Sequence, residues 1–163
     1  MERQVFTETF RGIVEMDEAL FTHRAGPGRR GHRQIWAIGL VQRQSGSAFI
    51  TVVRNRDHQT INNIIRNQTL PGSVIVHDGW QGYVRIPRPW RHINVNSNHQ
   101  HTTSQVEGLW GQLRAIIRSM YHGGIIEGNV SEILTEILWR RNVNNGRRAI
   151  VQELIHIVSQ YQH

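Results

Sequence analysis

The chain has 163 residues, a length that suits one domain with a core of its own. All 19 basic residues are arginine, against 12 acidic ones, for a net charge of +7 and a pI near 11.3. Cysteine is absent, which excludes disulfides, a thiolate zinc site and a cysteine nucleophile.

So basic a chain points to a polyanion, nucleic acid first and a membrane surface second. The guanidinium fork suits phosphate. The missing lysine is itself accounted for by GC-rich base composition. No apolar run reaches the roughly 18 residues of a membrane span, and no secretory signal opens the chain, so a soluble protein is expected.

Residues 13–21, "IVEMDEALF", read as a strand. Residues 22–33, "THRAGPGRRGHR", follow as a basic Gly/Pro loop. Residues 34–43 and 47–54 are rich in β-branched and aromatic types, with "QSGS" as a turn between them, so three antiparallel strands are expected. Residues 58–68 form a short helix with Ile61, Ile64 and Ile65 on one side, broken by "LPGS". Residues 73–77 form a continuous apolar strand, the pattern of burial on both faces. "WQGY" makes one helical turn, and "HINVN", residues 92–96, is a fifth short strand. From 103 to 121, Val106, Leu109, Trp110, Leu113, Ile116, Ile117 and Met120 recur at helical spacing. Further helices are expected near 130–143, N-capped by Asn129 or Ser131, and near 147–161. Three strands, helix, strand, short strand and then helices is an α/β order with a mixed five-stranded sheet. It is the element order of the RNase H-like fold, with a helical C-terminal part.

Only three aspartates occur, at positions 17, 57 and 78. Asp17 lies inside the first strand and Asp78 ends the fourth, neighbours at the sheet centre in this order. Two facing carboxylates repel, and a hard cation held by oxygen, Mg²⁺ or Mn²⁺, resolves the repulsion. A third carboxylate is expected from a helix beside the strand ends. Glu107 is the candidate: it borders the buried face of its helix and heads a stripe running Gly111, Arg114 and Arg118. Metal ligand followed by phosphate-binding cations suits phosphoryl transfer on nucleic acid. Alone, each residue has an ordinary reading, Asp78 as a turn former and Glu107 as a solvated residue.

Five segments come in order: "VEMDEALF" (14–21), "GSVIVHDGWQGY" (72–83), "HINVN" (92–96), "HTTSQVEGLWGQLR" (101–114) and "LWRRN" (138–142). Together they resemble the catalytic domain of DDE transposases of the Merlin type and their bacterial insertion-sequence relatives. The likeness runs from about residue 12 to about residue 145. DGW-x-GY and HT-x-x-x-EG-x-W are its specific parts; VEMDE alone is weak. The resemblance implies Asp17, Asp78 and Glu107 as the catalytic, metal-binding triad, holding two Mg²⁺ or Mn²⁺ ions about 4 Å apart. It implies strand cleavage and strand transfer in DNA transposition, with transposon ends and target DNA as partners and a homo-oligomer on DNA. An intracellular location is expected, nuclear in a eukaryote, cytoplasmic or nucleoid in a bacterium. The chain departs from the pattern in a short "SNHQ" linker at 97–100. It also lacks the upstream zinc-ribbon or helix-turn-helix, so residues 1–163 are expected to be the catalytic domain alone.

Further DNA contacts are assigned to Arg29, Arg30 and Arg33 of the basic loop and to Arg114, Arg118, Arg140 and Arg141. The loop also reads as an ordinary solvated one. Arg140 and Arg141 also read as partners of Glu132 or Glu136. His77 and His101 are auxiliary candidates that could orient a ligand or touch phosphate; an ordinary polar role competes for both. Glu15 shares the strand face of Asp17 and is a candidate extra ligand. The competing function is a domesticated, catalytically inactive DNA-binding protein on the same fold. An RNase H-like structure-specific nuclease is a third.

Overall fold

The computed structural model describes residues 9–24, 32–83, 85–96, 101–120 and 133–144. Five strands form one mixed sheet: β1 (Ile13–Arg24), β2 (His32–Gln42), β3 (Ala48–Val53), β4 (Val74–His77) and β5 (Arg91–Asn94). Their spatial order is β3-β2-β1-β4-β5. The first three pair antiparallel; β4 joins β1, and β5 joins β4, in parallel. Helix α1 (His58–Gln68) makes the crossover that parallel pairing requires. A single 3-10 turn, Gln81–Tyr83, follows β4. Helix α2 (Ser104–Met120) comes next, and residues 133–144 form α3.

Strand alternation divides β1 between two cores. Val14 and Met16 face α1 and pack with Ile38, Leu40, Ile61, Ile65, Ile75 and Tyr83. Ala19 and Phe21 face α2 and α3, packing with Val106, Leu109, Trp110, Leu113, Leu134 and Leu138. β1 is the central strand, so its polar residues are set by whichever layer they face. Asp57 caps α1 by accepting the Thr60 backbone N–H at 2.8 Å. The Asn142 amide of α3 pairs with both backbone groups of Ala48 on the edge strand β3, at 2.9 and 2.7 Å. That caps an edge that would otherwise present open hydrogen-bonding groups.

The sheet and the described helices match the sequence expectation, with one difference at the basic loop. The β1–β2 ladder continues through Thr22↔Gln34, His23↔Arg33 and Arg24↔His32, so both strands run into the segment expected to be loop. Backbone pairing persists there because a ladder needs no apolar alternation. Arg33 is therefore a strand residue, whereas Arg29 and Arg30 lie outside the described residues, as do the helix expected near 147–161 and the N-cap expected at 129 or 131. No described helix is long and apolar enough to cross a membrane.

Candidate active site

Asp17 sits in the middle of β1, directly across the antiparallel ladder from Gly39. A Cβ on Gly39 would lie 2.6 Å from the Trp110 ring. The bare glycine therefore lets the indole of α2 lie flat over β2. From there Trp110 Nε1–H donates to Asp17 Oδ2 at 3.0 Å. The Asp17 carboxyl is pushed up to about 6 from an ordinary 3.8. Burial is the main cause and repulsion by Glu18 and Asp78 adds to it, opposed by hydrogen bonds from the Glu18 backbone and from Trp110.

Asp78 follows the last residue of β4. The parallel register pairs Glu15 with Val76, so two residues further on Asp78 stands level with Asp17. Its Oδ1 accepts the Trp80 backbone N–H at 3.0 Å, and its carbonyl accepts from the Asn96 side-chain amide. Gly79 has φ of 91°, and a Cβ there would overlap the Asn94 side chain. The chain turns sharply at Gly79 because only glycine takes that backbone at no steric cost. Asp78 itself is solvent-exposed.

His77, just before it, is buried. Its Nδ1 accepts the Gly79 N–H at 3.0 Å, which leaves Nε2 as the protonated nitrogen facing His92 Nδ1 at 3.1 Å. The ring stacks on Tyr83, centroids 4.5 Å apart. Burial and then His92 lower its pKa to about 4, against the pull of Asp78, so the ring is neutral at ordinary pH. His77 thus builds the turn that presents Asp78.

Glu18 was not singled out from the sequence. It projects from the opposite face of β1, where Tyr83 Oη–H donates to it at 2.6 Å and Arg56 lies 3.4 Å away. Arg56 in turn stacks on Trp36, 3.4 Å from the ring centroid, and on Trp80 at 4.7 Å. Burial, then Asp78, raise the Glu18 pKa against the Tyr83 bond. Burial and Glu18 hold the Tyr83 phenol well above 10, so it remains a donor. The signal was present in "MDE" and "GWQGY", but which face each side chain takes depends on contacts 65 and 38 residues apart.

Glu107 lies in the first turn of α2 and is exposed, its Oε1 accepting from Thr103 Oγ1–H at 2.7 Å. As the periodicity predicted, Val106, Trp110, Leu113 and Ile117 are buried while Gly111, Arg114 and Arg118 are exposed. Asp17 and Asp78 share one field; the hydrogen bond of Glu107 goes to Thr103, the residue just before its helix. Among the described residues, no three His, Asp or Glu side chains form a group arranged to hold a metal ion. The oxygen chemistry nonetheless suits a hard cation: two carboxylates stand at matched height, and the charge on Asp17 is disfavoured by burial first and by its like-charged neighbours second.

Glu15 needs a correction. It is not an available ligand, because both of its oxygens are engaged. Oε1 takes Arg43 Nε–H at 2.7 Å, and Oε2 takes the backbone N–H groups of Gln105 at 2.8 Å and Val106 at 3.1 Å. His101 faces the same arginine, its Nδ1 lying 3.3 Å from Arg43 Nη1. Of the arginines assigned to DNA, Arg114 lies over the Phe21 ring and Arg118 donates to the Arg114 carbonyl. Arg140 pairs with Glu136 at 2.7 Å, the alternative the sequence offered. Arg141 is half-buried and reaches Gln112, tying α3 to α2.

Three comparisons bear on this geometry. The family model of the ISXO2-like transposase domain matches residues 9–142. Among solved structures, a chain of the simian T-cell lymphotropic virus intasome in complex with PP2A regulatory subunit B56 gamma superposes with a TM-score of 0.60 at 16% identity. That match covers 80% of this chain and 48% of the other, so the protein spans about half of its relative's length. The HTLV-2 integrase catalytic core domain in complex with magnesium, in its dimeric form, superposes at 0.53 with 12% identity, covering 80% of this chain and 86% of the core. The trimeric form of the same core gives the same score and identity. At these identities the likeness establishes the RNase H-like fold. A search of curated protein sequences finds no match.

Proposed function

From the premise that the chain belongs to the ISXO2-like transposase family, we propose that it is the catalytic domain of a DNA-cutting and DNA-joining enzyme of the DDE type. The observation that carries this is the pairing of β1 with β4, which sets Asp17 and Asp78 level within each other's field. Asp17, Asp78 and Glu107 would hold a divalent cation, magnesium or manganese, in the manner of a two-ion site. When bound, such a cation supplies positive charge against the phosphate oxygens and favours the deprotonated hydroxyl that attacks phosphorus.

The chain's own residues do the positioning. Trp110 holds the Asp17 carboxylate through Oδ2. The His77–Gly79 turn fixes Asp78 at the open edge of the sheet. Glu107 joins them when its side chain swings from Thr103. It lies on the helix between Val106, bonded to Glu15, and Trp110, bonded to Asp17. Arg114 and Arg118 continue along the exposed face of that helix, where they would hold DNA phosphate. The partners proposed are transposon ends and target DNA. The dimeric and trimeric forms of the HTLV-2 core support a homo-oligomer on that DNA, within the cell compartment that holds it.

One observation favours a second reading, a DNA-binding protein that has lost catalysis: the hydrogen bond of Glu107 to Thr103. Supercoiled plasmid with Mg²⁺ separates the two. Nicking by the full chain that disappears in Asp78→Ala and Glu107→Ala supports the enzyme. Plasmid binding with no nicking in Mg²⁺ or Mn²⁺ overturns it.

A further inference from the structure

We propose that Glu15 is a positioning residue: its carboxylate pins the first turn of α2 to β1 and so sets Glu107 against Asp17. The proposal rests on the active-site reading above. Glu15 is 1% exposed, and a buried carboxylate is costly unless its charge and lone pairs are met. Here they are met by Arg43 and by two backbone N–H groups of α2, Gln105 and Val106. The first N–H groups of a helix have no partner within it and carry the positive end of its dipole, so this acid from 90 residues away does the work of an N-cap.

The placement is what matters for the site. Glu15 and Asp17 lie on one face of β1, about 7 Å apart along the strand. Both contact α2: Glu15 at Gln105 and Val106, Asp17 at Trp110. Two contacts fix the helix against the strand, and Glu107 falls between them. Arg43 extends the clamp to the approach of α2, donating to the Thr102 carbonyl and facing His101 Nδ1. Without the Glu15 contact, the turn that carries Glu107 loses its polar tie to β1 and keeps only the apolar packing of Val106 and Leu109, which is non-directional. Trp110 alone would still position Asp17.

The test is calorimetric titration of the full chain with Mn²⁺, with melting curves and plasmid nicking measured in parallel. Variants are Glu15→Gln, Glu107→Gln and the double variant. Loss of a residue that orients a metal ligand typically weakens binding about 10–100-fold. Glu15→Gln is therefore expected to weaken Mn²⁺ at least about tenfold well below its melting temperature. The double variant should bind no more weakly than Glu107→Gln alone. A merely structural role would lower the melting temperature and leave the Mn²⁺ constant unmoved. Wild-type Mn²⁺ affinity in Glu15→Gln, or full additivity in the double variant, overturns the proposal. If instead Glu107→Gln binds and nicks like wild type, it is the active-site reading that fails. Should Glu15→Gln not fold, Glu15→Asp takes its place, because it keeps the charge but withdraws the carboxylate by one methylene from the Gln105 and Val106 N–H groups. Weakened binding, absent in the Glu107→Gln background, is the supporting result, and unchanged binding the overturning one.

Discussion

Replacing Asp17 by asparagine should make the metal-free protein more stable, not less. The substitution is isosteric, and Trp110 Nε1–H can donate to an amide oxygen as it does to the carboxylate. What it removes is a charge that burial and two like-charged neighbours disfavour, holding the acid at about 6 in place of 3.8. A pKa raised by folding contributes stability that is fully present below pH 3.8 and is lost as pH rises through 6. At pH 8 the ionised side chain is therefore a liability of at most about 3 kcal/mol, and about 1–3 once local relaxation is allowed. For a domain of this size that corresponds to roughly 2–12 °C in melting temperature. The assay is thermal unfolding of wild type and Asp17→Asn in EDTA from pH 4 to pH 8. The variant should melt higher at pH 8, and the gap should close toward pH 4. Glu18, whose pKa is also raised, leaves some slope in both proteins. Saturating Mg²⁺ should narrow the gap at pH 8, since a ligand at 100 times its Kd adds about 2.7 kcal/mol to the form that binds it. A variant that melts at or below wild type in EDTA at pH 8 would show that Asp17 is not under electrostatic strain.

Gly39→Ala should destabilise by about 1–3 kcal/mol in urea, because its Cβ would meet a buried indole at 2.6 Å. Gly108→Ala and Gly111→Ala, on the exposed face of α2 with open space around them, should each add up to about 1 kcal/mol. Tyr83→Phe leaves Glu18 without its 2.6 Å donor and should cost about 1–3 kcal/mol. The same change should raise the Glu18 pKa, read by carboxyl NMR titration, because that bond now lowers it.

The arrangement of strands and helices was legible because its signals are local. β-branched runs end at turns, α1 repeats Ile61 and Ile65 at i and i+4, and α2 repeats Val106, Trp110, Leu113 and Ile117. The neighbouring places of Asp17 and Asp78 followed from element order alone, and the register bears it out. Glu15 marks where such reasoning stops. Alternation placed it on the face of Asp17, which is right, but alternation cannot tell a free carboxylate from one already bonded to a helix 90 residues on. Glu18 was passed over for the same reason, since its role is set by Tyr83 and Arg56 across the α1 face. The extended β1–β2 ladder escaped because backbone pairing leaves no mark in a Gly/Arg-rich segment.

The three acids of "VEMDE" show how a central strand divides its carboxylates between two layers. Alternation sends Glu15 and Asp17 to the α2 face and Glu18 to the α1 face, so both layers hold β1 through its carboxylates. Glu15 is compensated by Arg43 and two amides, while Tyr83 and Arg56 meet Glu18 only in part, since burial and Asp78 still raise its pKa. Asp17 receives a neutral indole N–H and a backbone N–H, while Asp78, its neighbour across the strand pair, adds repulsion. Disfavoured negative charge is thus concentrated where β1 meets the end of β4, with Glu15 beside it fully bonded. Among the described residues no arginine pairs with the Asp17 carboxylate, which stands level with Asp78, and that is the electrostatic pattern the proposed cation would complete.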